Sequence, residues 1–219
     1  QMKFFFKEKD IPQIKKRLDN EWGKGAYNLL LENANKLMQD EELAFGITGD
    51  GFGKASCARF LEGKTGILAL AGYLSGNEDY ILRGVKIYLS TIRQLTLNHY
   101  IEYNLHLCVG DAARAESISY DFLAKYLTEE EKTYALNHIE SLARWLYEFP
   151  STWGRPHSGV QSCNHNTVHF GGLGLACLIL GNRNDWLERA INQTKLYFKY
   201  ATDKTGFLTE GLPYGNYGL

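Results

Sequence analysis

The sequence predicts an all-α fold: an (α/α) toroid, or part of one, built of helical hairpins. Three observations predict it. Apolar stretches of helical length alternate with longer amphipathic stretches. The two kinds come in pairs separated by Gly-Asn stops or a capping box, with a period of about 50 residues per pair. Two of the pairs also align by residue type. LALAGYLSGNEDYILR (68–83) and LGLACLILGNRNDWLER (173–189) share Leu-x-Leu-Ala, Gly-Asn, Asp-aromatic and Arg, with one insertion. A small, apolar first helix and an amphipathic second helix suit an inner and an outer ring. An open helical solenoid is the competing architecture, and the buried, glycine-bearing first helices argue against it.

The elements follow in chain order. At the start, Asp10 suits an N-cap, Pro12 a first helical turn, and Ile11, Ile14 and Leu18 fall at helical spacing. Residues 26–38 form a second helix, with Leu30, Leu31, Ala34, Leu37 and Met38 on one face. Residues 45–53, FGITGDGFG, hold four glycines and are expected to be a loop. They do not make the GxGxxG of a nucleotide site. Residues 66–74 are an apolar helix that stops at Ser-Gly-Asn, followed by an amphipathic one over 79–96. Residues 111–126 repeat the form. Thr128 and Glu131 then make a capping box for a helix reaching about Tyr147. The third pair is 170–180 and 185–200.

The centre of the chain is CNHNTVHFGGLGLACLILGN, residues 163–182. It begins with Asn164, His165, Asn166 and His169. It continues as an apolar run, expected to be a helix buried nearly all round. Gly171, Gly172 and Gly174 lie inside it. Each glycine costs a helix about 1 kcal/mol relative to alanine, so close approach by a neighbour is the expected reason. Gly172 and Gly174 are accordingly predicted at a helix contact. Amides and imidazole at a helix N-terminus face the positive end of its dipole, which favours an anionic group.

Bulk composition narrows the function classes. The chain has 219 residues, 44% hydrophobic and 22% charged, with a net charge of −1. That is one ordinary globular domain with no linker rich in Pro or Ser. No global field selects a nucleic acid, so none is expected as a partner. No run of 18 apolar residues is present, so no membrane partner is expected. The cysteines 57, 108, 163 and 177 form no CxxC pair, so free buried thiols are expected and no metal site. No cofactor motif appears.

Two constellations carry candidate chemistry. One is Asn164, His165 and Asn166, preceded by Trp153, Arg155 and His157. The other is EGLPYGNYG, with Glu210, Tyr214 and Tyr217. Both precede or open an inner helix, so a toroid would bring them to one end. Removing the proton α to a carboxylate requires the developing charge to be neutralised, which amide donors and Arg can do. His or an ionised Tyr can take the proton, and Tyr can protonate the leaving glycosidic oxygen. The set therefore suits β-elimination of a uronic-acid polysaccharide. Hydrolysis would want two carboxylates, and Glu210 is the one acid in these stretches. The plainer readings are an N-cap for Asn164, a structural histidine, and rim packing for the tyrosines.

FFFKEKDIPQIKKRL, SYDFLAKYLTEEEK, the NHN helix and EGLPYGNYG, in this order and spacing, resemble the N-terminal helical domain of heparinase II/III-like and alginate-lyase-like polysaccharide lyases. The resemblance runs almost end to end. It implies an incomplete α/α toroid followed by a β-sandwich, and a periplasmic or secreted protein. Asn164 would neutralise the uronate carboxylate, His165 would be the base or assist it, and Tyr214 would be acid or base, with Tyr217 its alternate. Trp153, Arg155, Asn166, His169, Glu210 and Tyr217 would bind substrate. The implied partner is an acidic polysaccharide or oligosaccharide. Members usually take a further His or Tyr from beyond the helical half, and this sequence holds neither that region nor the β-sandwich with any metal it carries. The expectation is a fragment, missing its C-terminal β-sandwich and poorly active alone. The alternatives are a non-catalytic carbohydrate-binding or structural toroid, and an α/α-toroid glycoside hydrolase.

Overall fold

The computed structural model describes residues 4–39, 51–102, 106–148, 164–202 and 205. Among these residues all regular structure is helical and no strand occurs. A single 3-10 turn, Glu8–Asp10, leads into α1 (Ile11–Arg17). Then follow α2 (Glu21–Gln39), α3 (Gly51–Ser75), α4 (Glu78–Gln94), α5 (Leu97–Glu102) and α6 (His106–Leu123). A second 3-10 turn, Ala124–Tyr126, precedes α7 (Glu129–Glu148), α8 (Asn164–Leu180) and α9 (Asn184–Ala201). The chain forms two compact units: Gln1–Thr96 with Ile118–Ala135, and Leu97–Ser117 with Leu136–Leu219. The boundary falls within α6 and within α7.

The first unit is built on the α3–α4 hairpin. Gly76 turns the chain at φ +81°, a conformation that favours glycine, and its N–H closes on the Gly72 carbonyl at 2.8 Å. Asn77 then caps α4, its Oδ1 accepting from the Asp79 N–H at 3.0 Å. Leu61, Leu68 and Ala71 of α3 and Ile81, Ile87, Tyr88 and Ile92 of α4 are almost fully buried. Gly72 lets the two helices close, because a Cβ there would drive into the Ile81 side chain. The end of α6 is tied to α3 twice: Thr65 Oγ1 lies 2.7 Å from Ser119 Oγ, and the Tyr73 hydroxyl donates to the Phe122 carbonyl at 2.8 Å. Burial, ahead of the nearby Tyr126, pushes the Tyr73 phenol well above its ordinary range. The start of the chain docks here too. The Phe4 N–H donates to Asp121 Oδ2 at 3.1 Å, and the Phe5 ring stacks on Phe122 at 5.7 Å.

Several expected details change in this unit. Asp10 is the residue before α1, but its carboxylate accepts from the Lys7 N–H at 2.9 Å instead of capping α1. The 3-10 turn in front of α1 already fixes that carboxylate. The second helix begins at Glu21, five residues before the expected start. Asn20 Oδ1 supplies the anchor, accepting from the Gly23 N–H at 2.7 Å. Of its predicted face only Ala34 is fully buried, and Met38 is exposed. Residues 51–53, expected to lie in a loop, are helical and open α3. Extending an existing helix avoids the nucleation cost, which outweighs about 1 kcal/mol per glycine. Residues 45–50 of that expected loop lie outside the described residues. The capping box holds as expected: the Thr128 N–H donates to Glu131 Oε2 at 2.9 Å, and the Glu131 N–H to Thr128 Oγ1 at 3.2 Å.

The second unit is built on the α8–α9 hairpin. Gly181 turns the chain at φ +74°, its N–H 2.9 Å from the Cys177 carbonyl. Gly172 meets α6 main chain to main chain. A Cβ on Gly172 would overlap the Gly110 carbonyl oxygen outright, and one on Gly110 would stand 2.6 Å from the Val168 carbonyl oxygen. The other glycines differ. A Cβ on Gly174 would sit an ordinary 3.7 Å from the Ala190 Cβ, while one on Gly171 would meet nothing within 4 Å. Close approach therefore explains Gly172, allows Gly174, and does not explain Gly171. Nor is α8 buried all round, since Gly171 and Leu178, seven residues apart, form an exposed stripe.

Arginines and aromatic rings clamp α9 to α7. The guanidiniums of Arg144 and Arg183 lie 5.5 and 5.2 Å from the Trp186 ring centroid, and Trp186 stacks on Tyr147 at 5.3 Å. Arg183 and Arg144 also bind the Glu140 carboxylate, at 2.5 and 3.0 Å. Arg183 first, then Arg144, holds that carboxyl below its usual range. Cys108 and Cys177 are buried and neither forms a disulfide. Burial, ahead of the nearby Asp185 carboxylate, pushes the Cys177 thiol up to about 12, so it stays protonated at neutral pH. Cys163 and the side chain of Cys57 lie outside the described residues.

Candidate functional site

The candidate site is the first turns of α8, which starts at Asn164. A helix start presents N–H groups without intrahelical partners and the positive end of the dipole. Asn164 therefore opens a helix end where an anion is favoured. His165 follows, half-buried. His165 and His169 are four residues apart and share one helix face, with ring centroids 6.4 Å apart and planes tilted by 54°.

His169 is buried, and the Trp145 ring of α7 stands edge-on to it at 6.4 Å and 86°. Such an arrangement sets the imidazole plane by ring packing. Asn166 is buried as well. Its Nδ2 donates to the Gln193 carbonyl of α9 at 2.9 Å, so this amide ties the hairpin together. Of the four predicted residues on α8, His165 and His169 thus come together. Asn166 turns to α9, and Asn164 marks the helix start. Trp153, Arg155, Glu210, Tyr214 and Tyr217 lie outside the described residues, as does the predicted meeting of Tyr214 with His165.

Sequence reading did not find the partners that α6, α7 and α9 supply. Trp145 and Gln193 belong to stretches read as plain amphipathic helix, with no local signal of a role. A further buried pair was missed. His138 Nδ1 of α7 lies 2.7 Å from Glu116 Oε2 of α6, both almost fully enclosed. The one available signal was an acid in the middle of a helix otherwise read as apolar. A buried carboxylate needs a partner, and burial of such a pair makes loss of either member costly.

The arrangement offers an imidazole at an anion-favouring helix start, backed by a second imidazole and an indole. Chemically it can hold a carboxylate and exchange a proton beside it. Among the described residues no group of three or more His, Cys, Asp or Glu is placed to hold a metal ion. No helix among them is long and apolar enough to cross a membrane. No family model matches the chain, and neither does any curated protein.

Proposed function

We propose that the chain is the helical domain of a polysaccharide lyase that cleaves a uronic-acid-containing polymer by β-elimination. The proposed architecture is an incomplete toroid, with α3, α6 and α8 as inner helices and α4, α7 and α9 as outer ones. The observation that carries the reading is the start of α8, where His165 follows Asn164 at the positive end of a helix. In the proposed reaction Asn164 and the α8 N–H groups offset the charge that develops on the uronate carboxylate. His165 removes or helps remove the adjacent proton, and Tyr214, or Tyr217 in its place, protonates the leaving oxygen.

A second reading has a specific observation in its favour. Asn166 is bonded to Gln193, and His169 is packed against Trp145. Two of the polar residues on α8 thus have a sufficient structural role. A carbohydrate-binding or structural helical domain without catalysis would retain them.

Ultraviolet absorbance of unsaturated uronate separates the readings, using the protein at its full encoded length and a panel of uronate polymers. A lyase produces the double bond, and His165→Ala lowers turnover by about 100- to 10,000-fold, the scale of an acid–base residue. Absence of product across the panel sinks the lyase reading. A saturated product would instead favour a hydrolase.

A further inference from the structure

The first unit carries a groove of about 1000 Å³ along α4. Val85 and Leu89 give it an apolar floor, and Tyr126 adds an aromatic surface. Its charged wall is a helical stripe. Arg83, Lys86, Ser90 and Arg93 follow at i, i+3, i+7 and i+10, which places them on one face of the helix. With a rise of about 1.5 Å per residue the stripe is about 15 Å long. Arg83 Nε donates to the Leu37 carbonyl at 3.3 Å, which orients this guanidinium at the edge shared with α2. Lys86 and Arg93 are exposed, and Gln94 Nε2 donates to Ser90 Oγ at 3.0 Å. Asp79 and Glu131 also line the groove. Glu131 is engaged at the start of α7, where it accepts from the Thr128 N–H. Among the described lining residues three cations, Arg83 with bonds of its own, accompany two carboxylates, of which Glu131 is engaged at the start of α7.

We propose that this groove binds a short acidic oligosaccharide. A sugar presents C–H faces to an apolar floor and a phenol ring, hydroxyls to Ser90 and Gln94, and carboxylates along its length to a row of cations. A helix face offers no sheet edge, so an extended peptide finds no main-chain partners. A duplex-binding protein commonly makes about six to ten phosphate contacts, beyond what three cations can supply. The cations are strung along the groove instead of gathered around a point, which suits an elongated anion. The ligand class rests on the function proposed above, but the residues are different ones.

Calorimetric titration of the 219-residue chain with tetragalacturonate, and with a neutral tetrasaccharide, tests the groove. The acidic sugar should bind the more tightly, and added salt should weaken it. Lys86→Gln and Arg93→Gln should each weaken it about two- to fivefold, the scale of an exposed charge pair. Both are exposed positions, so the thermal midpoint of the unliganded double variant should stay unchanged. Lys15→Gln, at an exposed cation of α1 that does not line the groove, should leave this binding intact. Equal affinity for the neutral sugar overturns the proposal, and so does undiminished binding in the double variant. An equal loss of binding in Lys15→Gln would make the effect one of overall charge and overturn the groove. A lowered midpoint in the double variant would show that the cations hold the protein's own structure. If no polymer gives an unsaturated product, the lyase reading falls and this pattern of affinities still stands.

Discussion

The α3–α4 and α8–α9 hairpins share a sequence pattern and a turn, yet start their second helices differently. Both turn at a glycine with positive φ, Gly76 and Gly181, and both close that turn on the carbonyl four residues back. In the first hairpin Asn77 is the N-cap. In the second, one inserted residue puts Arg183 at that position, and Asn182 Oδ1 accepts from Arg183 Nη1 at 3.0 Å instead. Arg183 does not cap with its side chain; it reaches Glu140 and Trp186. A local backbone cap in one repeat is thus replaced by a clamp to a neighbouring helix in the other. The aromatic residue at the shared position does the same job in both. The Tyr80 hydroxyl donates to Asn35 Oδ1 of α2 at 2.6 Å, while Trp186 stacks on Tyr147 of α7. What the repeat preserves is the grip on the preceding helix; the chemistry of the grip varies.

The largest expected effect is at Trp186. Trp186→Ala should destabilise by about 3–5 kcal/mol, since it leaves a cavity and uncovers two guanidiniums. Tyr80→Phe should cost only about 0.5–1.5 kcal/mol, because it removes one hydrogen bond and little volume. Denaturant midpoints measure both, and equal losses would show that the two anchors do not differ in kind. Next comes α8 itself. Gly172→Ala should cost about 1–3 kcal/mol or more by overpacking against the Gly110 main chain. Gly174→Ala should be neutral or stabilise by up to about 1 kcal/mol, because the methyl fits and alanine favours helix. Tolerance of Ala at 172 would contradict the α6–α8 contact.

The caps give a smaller contrast. Asn77→Ala should lower stability by about 1 kcal/mol. Asn182→Ala should change it by less than about 0.5 kcal/mol, as an exposed substitution off the cap. Matching losses would place Asn182 at the cap after all. The smallest effect is pH-dependent. The Glu140 carboxyl is held below its usual range, so its stabilisation is present above the unfolded carboxylate pKa and is lost as pH falls through the lower folded value. At neutral pH Glu140→Gln should cost about 0.2–1 kcal/mol, the scale of a partly exposed ion pair. Thermal midpoints of variant and parent should converge in acid. A gap that persists or widens there would assign the effect to packing.

The hairpins were legible because their signals are local. Gly76, Gly181, Thr128 and Glu131 act within four residues of themselves, and the apolar runs of α3 and α8 are long enough to read as helix on their own. What was hidden depends on neighbours distant in sequence. Gly171 and Gly172 look identical in the sequence, yet only Gly172 faces the Gly110 main chain. Asn166 was read as a ligand-facing amide beside Asn164, and the Gln193 carbonyl that takes its hydrogen bond lies 27 residues away. For the candidate site, adjacency at a helix start was readable; which side chains turn inward and which bind another helix was not. The Glu116–His138 pair shows the same limit, since neither residue signals the other.

The Gly110–Gly172 crossing also bears on how this protein can change over generations. Most tight contacts in a core can drift, because a larger residue on one side is accommodated by a smaller one opposite. Here both sides already hold the smallest residue: a side chain at 172 would strike the Gly110 backbone, and one at 110 would strike the backbone of Val168 and His169. A substitution at either position therefore has no compensating partner available. The pair should stay fixed while surrounding side chains exchange, and it should show no covariation. His165, two turns upstream of Gly172 on the same helix, inherits that constancy: its place relative to α6 is locked by a site that contributes no side chain at all.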